Sequence, residues 1–201
     1  FGSTSSQISI SVVDDGSEGS YILFLETFEN GIGSFNVINP DAGSNTWGRL
    51  DVGGNLGKIS AGIDNYNNSD RGQIDILETP SLDLTQLTDP RVEMEYAYNR
   101  YSALNSDQLR ILISVGGGPA LVLFSGLENG TGNFATGPDN VEVFIPATEN
   151  DWCAAGPGCI NIDLSAFASE TDVKIQIENI NDFGNLMWID NFQVIGSCAF
   201  I

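Results

Sequence analysis

Histidine is absent from this 201-residue chain. Its absence removes the commonest general base, the serine-histidine and cysteine-histidine nucleophile arrangements, and the His-Glu-x-x-His zinc motif. Any catalysis would fall to carboxylates, tyrosine, lysine or arginine. Basic residues are scarce as well: seven Lys and Arg face 27 Asp and Glu, for a formal charge of -20. That balance argues against a nucleic-acid backbone or an anionic membrane as partner, because counterion release needs clustered cations. No apolar run approaches the roughly 18 residues of a membrane-spanning helix, so no membrane insertion is expected. No segment keeps a helical period over three turns, and Leu164–Ser169 suits one turn at most. The opening residues lack a basic start followed by an apolar core. With its abrupt start at Phe1, the chain reads as part of a larger multidomain protein.

Cysteine is limited to Cys153, Cys159 and Cys198. Cys153 and Cys159 bracket Ala-Ala-Gly-Pro-Gly, a turn-forming segment that suits a disulfide-closed loop. A redox or metal pair is more often spaced Cys-x-x-Cys, and three thiols without histidine make a poor zinc site. A Cys153–Cys159 disulfide implies a setting outside the cytoplasm. Cys198 is then left buried or paired beyond Ile201.

What the chain has instead is alternation. Arg91–Tyr98 places Val92, Met94, Tyr96 and Tyr98 on one face, and Gln108–Val115 places Leu109, Ile111, Ile113 and Val115 inward. Gly116-Gly-Gly-Pro119 breaks the chain before Ala120–Ser125 resumes it, which predicts a hairpin. Val141–Ile145, Cys159–Asp163 and Asp172–Asn179 read as further strands. Many short strands separated by Gly, Asn, Asp and Pro predict an all-β, antiparallel two-sheet sandwich of jelly-roll type over residues 21–197. Before it, residues 1–13 read as the last strand of a preceding sandwich, or else as an extra edge strand. Residues 14–20 read as a polar, glycine-rich linker, and residues 198–201 as the start of a downstream segment.

Two acids stand out. In the closing segment, Gly184–Ile195, a period of two puts Asp190 between Trp188 and Phe192 on one face. In Ile22–Phe28 the face of Ile22, Phe24 and Phe28 also carries Glu26. A carboxylate among aromatics is costly unless neutralised. In a jelly roll the first and last strands can lie side by side, so a shared cation is one explanation, and oxygen donors point to structural calcium. The alternative is two unrelated edge carboxylates that reach solvent. By contrast, Glu93 and Glu95 fall on the polar face of an amphipathic strand, where solvation explains them better than a glycosidase dyad would.

Several stretches also occur in the order of a known family. Leu25-Glu-Thr-Phe-Glu-Asn-Gly31 resembles an opening "E-x-F-E" motif, and Ile76-Leu-Glu-Thr-Pro-Ser-Leu-Asp-Leu84 resembles "L-I-S-P-x-L-D-L". Ile162-Asp-Leu-Ser-Ala-Phe167 is similar to "V-D-L-S-A-Y". Val173–Asn179 followed by Phe183–Asn191 is similar to "V-x-I-x-F-x-N … Y-G-N-x-L-Y-I-D-N". Together these resemble the cleaved-adhesin and choice-of-anchor modules, which are related to gingipain adhesin domains and more distantly to MAM domains. The resemblance implies a jelly-roll accessory module in a secreted or surface protein, exported by the type IX route and often following a PKD-type sandwich. Its parents include metallopeptidases and polysaccharide-degrading enzymes, and the insertion Asp151–Cys159 resembles the metallopeptidase-associated version. It also implies structural calcium at Glu26 and Asp190, with Glu29 and Asn191 as further candidates. Asp64 and Asp70 are possible loop donors.

For a ligand, the useful signal is an aromatic flanked by polar residues, because sugar faces stack on rings. Trp47, Tyr66, Tyr101 and Trp152 meet it, although Trp47 also suits the core and Trp152 also suits packing on the cysteine loop. Trp188, with its alternating partners, reads as core. The expected function is therefore non-catalytic: calcium-stabilised adhesion or targeting to a glycan or an extracellular protein. Substrate binding for a metallopeptidase, or a spacer role without a ligand, are the alternatives.

Overall fold

A computed structural model describes residues 20–51, 59–127, 134–153 and 159–198, with Cys198 described by its backbone only. The expected strand in residues 1–13 and most of the linker lie outside the described residues, as does the Cys198 side chain. Ser20, assigned to the linker by composition, already begins the first strand.

Eleven strands run in chain order: β1 (Ser20–Glu26), β2 (Asn36–Ile38), β3 (Gly48–Leu50), β4 (Ser60–Asp64), β5 (Ile74–Glu78), β6 (Leu87–Tyr98), β7 (Gln108–Val115), β8 (Leu121–Leu127), β9 (Ile160–Asp163), β10 (Val173–Ile180) and β11 (Leu186–Cys198). The only other regular elements among the described residues are three single 3-10 turns, one of them at Ser165–Phe167 where one turn was expected. All strand pairs are antiparallel. One sheet has the order β3-β4-β11-β6-β9, with β1 also on β11, and the other has the order β2-β5-β10-β7-β8. The sandwich expected from the sequence is present. The predicted hairpin is β7–β8, turned at Gly116 and Gly117 with positive φ, the conformation glycine adopts without steric cost.

The core lies between the sheets. Leu77, Ile111, Ile113, Ile175 and Ile177 come from one side, and Val92, Met94, Met187, Ile189, Phe192 and Val194 from the other. A second cluster on the outer face of the six-stranded sheet joins Ala97, Phe144, Trp152 and Trp188. It explains why Val141–Ile145 is not the strand its alternation predicts. The Phe144 N–H donates to Asn185 Oδ1 at 2.9 Å, and its carbonyl accepts from Trp188 Nε1 at 3.1 Å. Side chains, not a ladder, hold this segment as a cover over Trp188. The Cys153–Cys159 disulfide forms, with a Cα separation of 5.5 Å, and ties the cover to β9; its loop, 154–158, lies outside the described residues.

β11 organises the larger sheet. β6 pairs along one of its edges, while β4 and β1 share the other in tandem. β4 reaches Ile189 and β1 ends opposite Phe192, so residues 190 and 191 face the gap between them. The β6 register also shifts between Asp190 and Gln193, and Asn191 has φ 47. This bulge corrects the strict period of two. Met187 and Ile189 enter the main core before it, and Phe192 and Val194 after it, while Trp188 enters the outer cluster. Asp190 therefore keeps the parity of Trp188, not that of Phe192.

Candidate functional site

Asp190 is almost fully buried, and its cross-strand partner in the register is Glu95. Directly opposed residues share a face, so two acids are set against each other. Glu95 is buried as well and accepts from Asn191 Nδ2 at 2.8 Å. Solvation does not account for it, contrary to the sequence reading. Asp190 Oδ1 accepts from the Asn191 N–H at 2.7 Å, while Oδ2 is buried without a hydrogen-bond partner. Burial pushes the Asp190 carboxyl up to about 7; the charges of Glu95, Glu29 and Glu26 push the same way, against the Asn191 hydrogen bond.

Glu26 closes β1 opposite Phe192, with Oε1 accepting from the Phe28 N–H at 2.7 Å. Glu29 accepts from the Ile59 N–H at 3.2 Å. The pairing of first and last strands thus brings Glu26, Glu29, Asp190 and Asn191 into one region, with Glu95 as the member that sequence reasoning missed. Among the described residues, no three acidic or cysteine side chains converge as a ready-made metal cage. Asp64 and Asp70 lie elsewhere. Asp64 pairs with Leu186, four residues before Asp190, or roughly 13 Å along a strand. Its carboxylate holds Asn67 through the backbone N–H and the side-chain amide.

At that other end three loops meet. They are the β4–β5 loop with Tyr66, the β6–β7 loop with Tyr101, and the β10–β11 loop with Phe183. The Tyr66 and Tyr101 rings meet edge to face at 5.8 Å, and Tyr101 and Phe183 lie 6.5 Å apart. Phe183 is exposed at φ 59, the two tyrosines are half-buried, and Leu104 in the Tyr101 loop is 84 % exposed. Below them the scaffold is polar and closed. Buried Asp107 accepts from the N–H groups of Asp182, Gly184 and Asn185 and from the Tyr98 hydroxyl at 2.7–3.2 Å. Burial raises its carboxyl, and these bonds oppose the rise. Asn181 Nδ2 donates to the carbonyls of Asn68 and Asp70, and its Oδ1 accepts from the Phe183 N–H. Arg71 and Asp182 pair at 3.0 Å beside the rings.

Of the four aromatic candidates, the structure brings Tyr66 and Tyr101 together and adds Phe183. The other two are corrections. Trp47 is 2 % exposed, with Nε1 donating to the Asp75 carbonyl at 3.0 Å, and belongs to the main core. Trp152 is buried against Phe144 and Trp188. Neither presents a ring face to a ligand. Trp188 is core, as expected, though in the outer cluster.

Among the described residues no helix is long and apolar enough to cross a membrane. No family model matches the chain, and no curated protein matches it. Solved structures do. The K3 cleaved adhesin domain of Lys-gingipain from Porphyromonas gingivalis W83 superposes with a TM-score of 0.61 at 18 % identity, over 89 % of this chain and 100 % of that one. The K1 domain of the same protein gives 0.61 at 16 % identity, over 87 % and 98 %. The carbohydrate-binding module TmCBM61, solved with β-1,4-galactotriose, gives 0.50 at 14 % identity, over 84 % and 92 %. At such identities the likeness is one of fold: the sandwich read from the sequence is the one that the cleaved adhesin domains adopt.

Proposed function

We propose that this chain is a non-catalytic, calcium-stabilised binding module of a secreted or surface protein, and that it holds a neutral glycan at the Tyr66–Tyr101–Phe183 end. The observation that carries this reading is the gathering of three accessible rings from three loops on a buried hydrogen-bond scaffold. Rings fixed in this way offer contact area at little entropic cost. The charge of -20, with Asp64 at the end of β4 and Asp70 and Asp182 in the loops, disfavours polyanionic chains. The fold likeness to adhesin domains and to a galactotriose-bound module supports a binding role and an extracellular setting, as does the disulfide.

Calcium suits the chemistry of the acids at the β1–β4 gap, which share one region without converging on one point. Asp190 Oδ2 is buried without a partner, and the surrounding donors are hard carboxylate oxygens. Glu26, Glu29, Glu95 and Asp190 would hold the ion, which supplies the neutralising charge. The non-catalytic reading rests on the lack of histidine and on the burial of these acids far from the aromatic end.

The test is a glycan array followed by titration calorimetry, with the melting temperature as fold control. Tyr66→Ala and Tyr101→Ala are each expected to weaken a neutral glycan by about 30-fold, the loss of a binding hot spot of about 2 kcal/mol. Undiminished binding in the double variant would overturn the site. Retention on extracellular proteins that depends on the same rings would replace the glycan with a protein ligand. No retention of either kind leaves the spacer role.

A further inference from the structure

A second acid is buried without compensation, in the other sheet. Asp75 on β5 is fully buried, and neither carboxylate oxygen accepts a hydrogen bond. Its register partner on β10, Asn179, exchanges both amide hydrogen bonds with Asn65 and is not free to serve it. An isolated carboxylate in such a place is among the costliest groups a fold can carry.

The segment 39–47 closes over this carboxylate. Ile38 pairs with Ile76, so one further step of the register sets Asn39 opposite Asp75. Asn39 Nδ2 donates to the Gly43 carbonyl at 2.8 Å, which fixes its amide and leaves Oδ1 as a buried, unpartnered acceptor. The Thr46 hydroxyl is buried and unpartnered too, close enough to favour the Asp75 carboxylate but outside hydrogen-bonding geometry. Trp47 lids the site through its bond to the Asp75 carbonyl. Asp41, at the exposed rim, holds the Ile74 N–H through Oδ2 at 3.0 Å, and its charge acts on Asp75. Gln73 Nε2 anchors the segment on the Asn45 carbonyl at 3.0 Å.

Three unpartnered buried acceptor oxygens (Asn39 Oδ1 and both of Asp75) thus lie with two orphan donor groups, the Thr46 hydroxyl with one proton to give and Asn45 Nδ2. A single water, which usually makes two to four hydrogen bonds and has only two protons to give, leaves part of this set unserved. A hard cation serves oxygens of this kind directly and cancels the charge. We propose that Asp75, Asn39 and Thr46, with Asp41 at the rim, bind a divalent cation of the calcium class. This site is independent of the one at Asp190.

The test is calcium titration of the metal-free full chain by calorimetry, beside Asp190→Asn, Asp75→Asn and the double variant. Binding that persists in Asp190→Asn and disappears in the double variant supports the proposal. Thr46→Ala, which removes an oxygen but no charge, is expected to weaken the persisting binding by at least about tenfold. In the Asp190→Asn background, terbium emission excited through Trp47 gives a second readout and is expected to vanish in the double variant. Complete loss of binding in folded Asp190→Asn would overturn the proposal. So would Asp75→Asn with undiminished ion stoichiometry and a higher melting temperature both in chelator and in calcium. Ion binding lost in Asp75→Asn but unaffected by Asp190→Asn would uphold this site and refute the ion at Asp190.

Discussion

At the scale of single residues, the molecule is defined by acids placed where water cannot reach them. Asp190 is the clearest. Its carboxyl is raised from 3.8 to about 7, first by burial and then by neighbouring carboxylates. A group raised in the folded state favours folding below its unfolded value and loses that contribution as pH rises through the folded one. In metal-free protein, stability from this group is therefore expected to fall between about pH 4 and pH 7. Asp190→Asn keeps the acceptor for the Asn191 N–H and removes the charge opposite Glu95. It is expected to raise the stability of chelated protein at pH 7.5 by about 2 kcal/mol and to flatten that pH window, while cancelling the part of any calcium gain that comes from an ion at Asp190. Denaturant melts from pH 4 to 8, with and without calcium, check all three effects. A chelated variant less stable than the native chain at pH 7.5 would contradict the repulsion account.

At the scale of elements, the β10–β11 connection, residues 181–185, sets the aromatic end. Asp107 gathers three consecutive-region backbone donors and one hydroxyl, so Asp107→Ala strands buried N–H groups at about 1–3 kcal/mol each. A loss of about 3 kcal/mol in urea melts is expected, together with loss of the ligand held by Tyr101 and Phe183. Gly184→Ala should give the same pattern, since a Cβ there would lie 2.0 Å from Asp107 Oδ2. A stable Asp107→Ala that binds normally would show that the loops stand without this scaffold. Elements with long alternation, β6, β7, β10 and the β7–β8 hairpin, were legible in the sequence. β2 and β3, three residues each, are too short to show a period, and Val141–Ile145 shows one without a neighbouring ladder. The turn of parity at Asn191 is invisible to a strict two-residue count, although asparagine is a residue type that tolerates positive φ. Tyr66 and Tyr101 were found singly by their polar flanks. Phe183 and Glu95 were missed because their roles come from tertiary pairing. Trp47 was misread because its polar neighbour Thr46 lies beside the interior carboxylate of Asp75 and the indole itself is buried.

At the scale of the whole molecule, the larger sheet is held at its middle by a strand whose free edge is shared between two others. β1 and β4 meet β11 end to end, and the acids Glu26, Glu29, Glu95 and Asp190 crowd the junction in a chain already at -20. Without a cation their repulsion acts on the contact whose end carries Glu26, β1 with β11, and leaves the two-sheet core intact. Calcium at about 100 times its dissociation constant is expected to add about 2.7 kcal/mol, or roughly 5–10 °C in melting temperature for a domain of this size. Chelation should also speed amide exchange in β1, from Leu23 to Glu26, before it affects β7 or β10. Sodium chloride at equal ionic strength screens the surface charge but cannot bridge buried carboxylates, so it should restore little of either quantity. Asp190→Asn separates this junction from Asp75, since it should abolish the protection of β1 alone. An unchanged β1 exchange rate and melting temperature after verified removal of metal would mean that the junction closes on its own hydrogen bonds.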